Sequence, residues 1–99
     1  MDRVGDLREL IMTNNLLRLT EGLWANKMLT TLNLGFNKIE KIDSLNNLVK
    51  LTSLNLEGNL IESIQGLESL RELKILNLSK NKINTIGFLP AFPKVLFPS

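Results

Sequence analysis

The sequence contains no cysteine and no histidine. Without cysteine there is no disulfide and no thiolate chemistry. Without histidine the usual neutral-pH base and the commonest metal ligand are missing. A charge excess of one sign is missing too: 12 basic and 10 acidic residues are interspersed and leave a net charge of +2. The basic stripe that marks a nucleic-acid surface is therefore absent. No run approaches the 18 apolar residues of a membrane-spanning helix, so membrane insertion is not expected. The opening MDRVGDLREL lacks the apolar core of an export signal. An intracellular, cytoplasmic setting is expected, with the nucleus, a cilium or the cytoskeleton also compatible. Proline is scarce: Pro90, Pro93 and Pro98 all fall in the tail LPAFPKVLFPS.

What the sequence does have is a period. Residues 29–50, 51–72 and 73–94 superimpose at a spacing of 22, and a fixed period of this length marks a solenoid. With each copy numbered from 1 to 22, Leu occupies position 1 (Leu29, Leu51, Leu73), position 4 (Leu32, Leu54, Leu76) and position 6 (Leu34, Leu56, Leu78). Asn occupies position 9 (Asn37, Asn59, Asn81), and Ile occupies positions 11 and 14 (Ile39, Ile42, Ile61, Ile64, Ile83, Ile86). Position 17 is Leu45, Leu67 and Leu89, and position 20 is Leu48, Leu70 and Phe92.

Residues 7–28 form a degenerate earlier copy, with Leu7, Leu10, Met12, Asn15, Leu17 and Leu23 in register and Thr20 and Asn26 out of type. Trp24 is expected as a plug near this weaker end. Residues 1–6 read as a partial repeat, so the repeat domain is expected to run over 1–94, with 95–99 a divergent tail. At a constant period Val95 stands at position 1 and Pro98 at position 4. The register thus starts and stops inside repeats. It suits either a segment of a longer solenoid or a shortened product.

Apolar–polar–apolar alternation at positions 4 to 6 predicts a very short strand, Leu-Asn-Leu, with the leucines inward. Strands reached by the same coil each time must be parallel. The fold class is therefore an α/β solenoid, an arc with short parallel strands on the concave face. Asn15, Asn37, Asn59 and Asn81 are expected to form a structural ladder of side-chain bonds to the turn backbone. Positions 11, 14, 17 and 20 recur every three residues. That spacing predicts tight turns and 3₁₀ or short helical segments on the convex side, best placed at 46–49 and 68–72.

Positions 3, 5 and 7 then line the concave face. The candidate binding residues are Thr31 and Asn33; Ser53, Asn55 and Glu57; and Ile75, Asn77 and Ser79, with Glu9, Ile11, Thr13 and Gly35 on the same face. Phe36, at position 8, is the candidate apolar anchor, because aromatic residues often dominate interface energies. Its alternative role is packing across the rim. Lys38, Lys80 and Lys82 form a modest basic rim, interrupted by Glu40, Glu57 and Glu62. The asparagines of position 5 read either as compact polar residues on a crowded sheet or as donors and acceptors for a bound peptide.

Catalytic readings fail at each point. Ser53 and Ser79 have no base beside them, and Glu9 and Glu57 fall two strand spacings apart, near 10 Å, too far for a retaining pair of carboxylates. Phosphate-binding glycine loops and carboxylate-rich metal loops are absent. No enzyme, metal, cofactor or small-molecule substrate is expected, and nucleic acid is not expected as a partner. A protein partner is. The competing expectation is a spacer within a larger repeat protein, and a third is an RNA-associated scaffold.

The motif LxxLxLxxN, present as Leu29-x-x-Leu32-x-Leu34-x-x-Asn37, Leu51-x-x-Leu54-x-Leu56-x-x-Asn59 and Leu73-x-x-Leu76-x-Leu78-x-x-Asn81, resembles the SDS22-like class of leucine-rich repeat proteins. That resemblance implies a non-enzymatic scaffold binding protein through its concave face. Members of the class include a regulatory subunit of protein phosphatase 1, a spliceosomal protein, an axonemal dynein light chain, and ciliary and centrosomal scaffolds. Bacterial internalins carry a similar repeat but are exported. The class usually ends in a specialised C-terminal cap, which this sequence lacks. No phosphatase-contact set maps onto its positions.

Overall fold

A computed structural model describes residues 8–16, 27–42, 45, 47–86 and 95–96. Its main sheet is parallel and contains β1 (Glu9–Ile11), β2 (Thr31–Asn33), β3 (Ser53–Asn55), β5 (Ile75–Asn77) and β7 (Val95–Leu96), in that order. A second, two-stranded parallel sheet pairs β4 (Ser63–Ile64) with β6 (Thr85–Ile86).

The register is the sequence period made visible. Leu10 pairs with Leu32, Leu32 with Leu54, and Leu54 with Leu76. Beyond the strands the ladder continues: the N–H groups of Met12, Leu34 and Leu56 donate to the carbonyls of Asn33, Asn55 and Asn77, each at 2.8 Å. Those of Thr30, Thr52 and Lys74 donate back to Arg8, Thr30 and Thr52. The Thr30 and Thr52 hydroxyls donate to the carbonyls of Arg8 and Thr30, each at 3.1 Å.

Every buried apolar residue in 29–78 stands at position 1, 4, 6, 11, 14, 17 or 20, from Leu29 to Leu78. The core is a column of leucine and isoleucine running the length of the stack. Each such side chain contributes about 1.5–3 kcal/mol on burial. Leu10, Met12 and Ile83 are partly buried at its two ends.

On the convex side the structure departs from expectation. No helix of either kind forms among the described residues. Instead, Leu48 N–H donates to Leu45 and Leu51 N–H to Leu48, and likewise Leu70 to Leu67 and Leu73 to Leu70, at 3.0–3.2 Å. These i→i+3 bonds start three residues apart, so the turns are chained end to end. A 3₁₀ helix needs the same bond at successive residues. The three-residue period was read correctly as tight turning, but each turn is pinned by a buried Leu rather than continued. At positions 13 and 14, where turns were expected, Ser63–Ile64 and Thr85–Ile86 are extended and paired. β-Branched Ile at 11 and 14 favours that conformation.

The C-terminal register also differs. Val95 pairs with Leu76 and Leu96 with Asn77, so Val95 takes position 4 and not position 1. The coil between β5 and β7 is 19 residues long, three fewer than the others. Residues 95 and 96, expected in a divergent tail, belong to the sheet. Trp24, the degenerate positions 20 and 26, and the phenylalanines and prolines of the tail lie outside the described residues, as does Asn46 of the expected helical turn.

Candidate functional site

The face built by positions 3 and 5 is the outer side of the main sheet. In β2 and β3 the middle Leu is buried while Thr31, Asn33, Ser53 and Asn55 are partly exposed. In β5, Ile75 is exposed and Asn77 partly exposed. Ile11 of β1 and Ile75 are each about half exposed, at 58% and 44%, and so flank the polar centre with apolar patches.

The asparagines of position 5 are not free rotors. The Oδ1 of Asn33 accepts from Gly35 N–H at 3.0 Å, that of Asn55 from Glu57 N–H at 2.9 Å, and that of Asn77 from Ser79 N–H at 3.0 Å. Each closes a turn two residues on, the local bond Asn makes best. The carbonyl oxygen of each asparagine thus has a structural role that neither reading of this column anticipated. Asn77 Nδ2 donates to Glu57 Oε1 at 3.4 Å. The Nδ2 groups of Asn33 and Asn55 have no protein acceptor among the described residues.

Position 8 turns the chain out of the strand through left-handed backbone. Asn14, Phe36 and Lys80 have φ of 57°, 58° and 57°, and Gly58 has 71°. Non-glycine residues seldom adopt this conformation. The next repeat holds it in place: Phe36 N–H donates to Glu57 at 2.7 Å and Gly58 N–H to Ser79 at 2.9 Å. Phe36 is 45% exposed, and its ring rests on Gly58, where a Cβ would stand 2.5 Å from Cδ1. It is both a rim contact and an exposed aromatic. Lys80 Nζ approaches the same ring at 5.9 Å and Glu57 Oε2 at 3.9 Å. Lys38 and Lys82 are exposed on the rim, and Leu16, at the same position 10, is 79% exposed.

Behind this face runs the position 9 ladder. Asn59 Nδ2 donates to its own turn (Leu56 and Glu57 carbonyls) and to Leu34 of the preceding repeat, while its Oδ1 accepts from Ile39 N–H. Asn81 repeats the pattern with Leu78, Ser79, Leu56 and Ile61. Asn37 donates to Leu34, Gly35 and Met12, and accepts from Asn15 N–H. Asn15, exposed at the first copy, donates to Thr13. The ladder fixes the turn from which Phe36 and Lys80 project.

Sequence reasoning missed Gly58 as the seat of Phe36 and the joining of Glu57 to Asn77 and Lys80. The signal for the first was present: glycine interrupts a column of side chains at position 8. No cluster of acidic, His or Cys side chains able to hold a metal exists among the described residues.

The family profile described as leucine-rich repeats (two copies) matches residues 27–69 and 49–94. The chain belongs to the leucine-rich repeat family. It is similar to the crystal structure of an internalin, inlF, from Listeria monocytogenes str. 4b F2365, with a TM-score of 0.75 and 26% identity over 88% of the chain. The chain spans 29% of that internalin's length. No curated protein matches it. No helix among the described residues is long and apolar enough to cross a membrane.

Proposed function

We propose that this leucine-rich repeat module captures a protein partner on its concave face, with Phe36 as the apolar anchor and Asn33, Ser53 and Asn55 at the centre. The observation that carries this reading is Phe36 itself. An aromatic ring left 45% exposed is held in place from below by Gly58 and from behind by the Asn ladder. A rigid, half-exposed aromatic beside polar groups is the composition of an interface hot spot. The 22-residue period with Ile at positions 11 and 14 supports placing the repeats in the SDS22-like class.

The test is capture of partners from a cell extract by the full chain, compared with Phe36→Ala and with Ser53→Arg, which would place a long cation over the middle strand. Glu68→Ala, on the convex turn, is the control. Loss of the same bound proteins with both concave variants and retention with the control supports the reading. Equal recovery by all four proteins refutes the assigned surface.

A further inference from the structure

The main sheet ends in two strands that each have one neighbour among the described residues, β1 beside β2 and β7 beside β5. An unpaired strand edge is a template for another strand. The repeat shows which main-chain groups point out of each edge. Asn33 and Gly35, at positions 5 and 7, turn their carbonyls to the preceding coil and accept from Met12 and Asn14 N–H at 2.8 and 3.1 Å. Thr31, at position 3, turns its N–H the same way, to the Arg8 carbonyl at 3.0 Å. Ser53, Asn55 and Glu57 make the same three bonds one coil later. Odd positions of a strand therefore face the coil before, and even positions the coil after. In β1 the residues facing backwards are Glu9 and Ile11, and no strand lies on that side among the described residues. In β7, Val95 stands in register with Leu76 at position 4, so its main chain faces forwards, away from β5.

The first coil is also less closed than those after it. Leu10 and Met12 are only partly buried, whereas their equivalents Leu32, Leu34, Leu54 and Leu56 are at most 1% exposed. Asn15 donates within its own turn, to Thr13, while Asn37, Asn59 and Asn81 each reach the preceding coil as well.

We infer that the edge of β1 takes the β7 edge of a second copy of this chain, so that copies join head to tail. Val95 N–H would donate to the Glu9 carbonyl, and Ile11 N–H to the Val95 carbonyl. Val95 then lies beside Leu10 and Leu96 beside Ile11, the register that joins every other pair of neighbours in this sheet. A second copy fits because the two edges are the opposite ends of one parallel sheet. Joining them continues its strand direction and register and uses both edges at once. Two β1 edges with their cores on the same side could meet only antiparallel. The head-to-tail contact is heterologous, so association runs beyond a dimer instead of closing. It is made by main-chain groups at the ends of the sheet and leaves the concave face of each copy open.

Sedimentation velocity of the full chain over a range of concentrations should show species that grow with concentration. Ile11→Pro is the key variant. It removes an N–H that points out of an edge strand, where proline is tolerated, and sets a ring where the added strand would lie. It should weaken association roughly tenfold or more with an unchanged melting temperature. Ser53→Arg, in the middle of the sheet, should leave association as it was. Should Ile11→Pro lower the melting temperature, cross-linking decides. The chain has no cysteine, and residues 11 and 96 of one copy lie four strand spacings apart, about 19 Å, too far for a disulfide. Oxidising an equimolar mixture of Ile11→Cys and Leu96→Cys chains should therefore give mainly mixed dimers linked from 11 to 96. A monomer at every concentration, association that a folded Ile11→Pro chain retains, or links from 11 to 11 in preference to 11 to 96 overturns the inference.

Discussion

Phe36 and Gly58, one repeat apart, share one space: the Phe36 ring occupies the volume that any side chain at position 58 would need, with Cδ1 and Cε1 at 2.5 and 2.7 Å from an ideal Cβ. Gly58 also has φ of 71°. Gly58→Ala should therefore cost stability twice, through backbone strain and through displacement of the ring, about 1–2 kcal/mol together. In a Phe36→Ala background the steric part disappears and the cost should fall. A double-mutant cycle by urea unfolding measures this coupling. Additive costs would show that the ring and the glycine are independent.

Gly66 poses a harder problem for a side chain. Its φ is 79°, and a Cβ would lie 2.7 Å from the main-chain oxygen of Ile42. A ring can swing away, but a carbonyl inside the stack cannot. Gly66→Ala should be more damaging than Gly58→Ala, by about 1 kcal/mol or more. Comparison of the two unfolding midpoints decides the order.

Asn59 satisfies the main-chain groups of two repeats at once and is 3% exposed. Asn59→Ala leaves Ile39 N–H without its acceptor, while the Leu34 carbonyl keeps the bond from Asn37, at a cost of about 1–3 kcal/mol. Asn15→Ala, at an exposed position with one side-chain bond to Thr13, should cost under about 0.5 kcal/mol. Thermal unfolding of both variants checks the contrast. Similar melting temperatures would show that burial of the amide does not set its worth.

Lys80 and Glu57 are paired at 3.9 Å with the Lys side chain 62% exposed. An exposed pair of this kind contributes about 0–1 kcal/mol. Lys80→Gln should leave the melting temperature nearly unchanged and be insensitive to salt. A large loss of stability would mean that Lys80 packs on Phe36 more firmly than its 5.9 Å approach implies.

Much of this was legible because each residue type recurs at one place. Leu32, Leu54 and Leu76 announced three in-register strands, and Asn37, Asn59 and Asn81 a buried ladder. What could not be read was anything that broke the period or depended on two repeats together. The three-residue loss before Val95 was hidden because a constant period gives no place for a deletion. The seat of Phe36 on Gly58 joins residues 22 apart whose types say nothing of each other. The spacing of three on the convex side fixed turning but not the hydrogen bonds that separate chained turns from a helix. Among the candidate residues, Asn33, Asn55 and Asn77 fell on one face as the alternation required. That each Oδ1 closes its own turn could be seen only in the turn geometry.

The position 9 asparagines all reach the same way. Asn37 bonds back to Met12 and Asn15, Asn59 to Leu34 and Ile39, and Asn81 to Leu56 and Ile61. The stack therefore has a polarity. A coil emerging from the ribosome finds the partners of its asparagine already in place in the coil made before it, while the N–H groups of Leu34, Phe36 and Ile39 wait for the coil that follows. Removing the last coil leaves every remaining position 9 side chain among the described residues with its partners, whereas removing an early one strands the asparagine of the next.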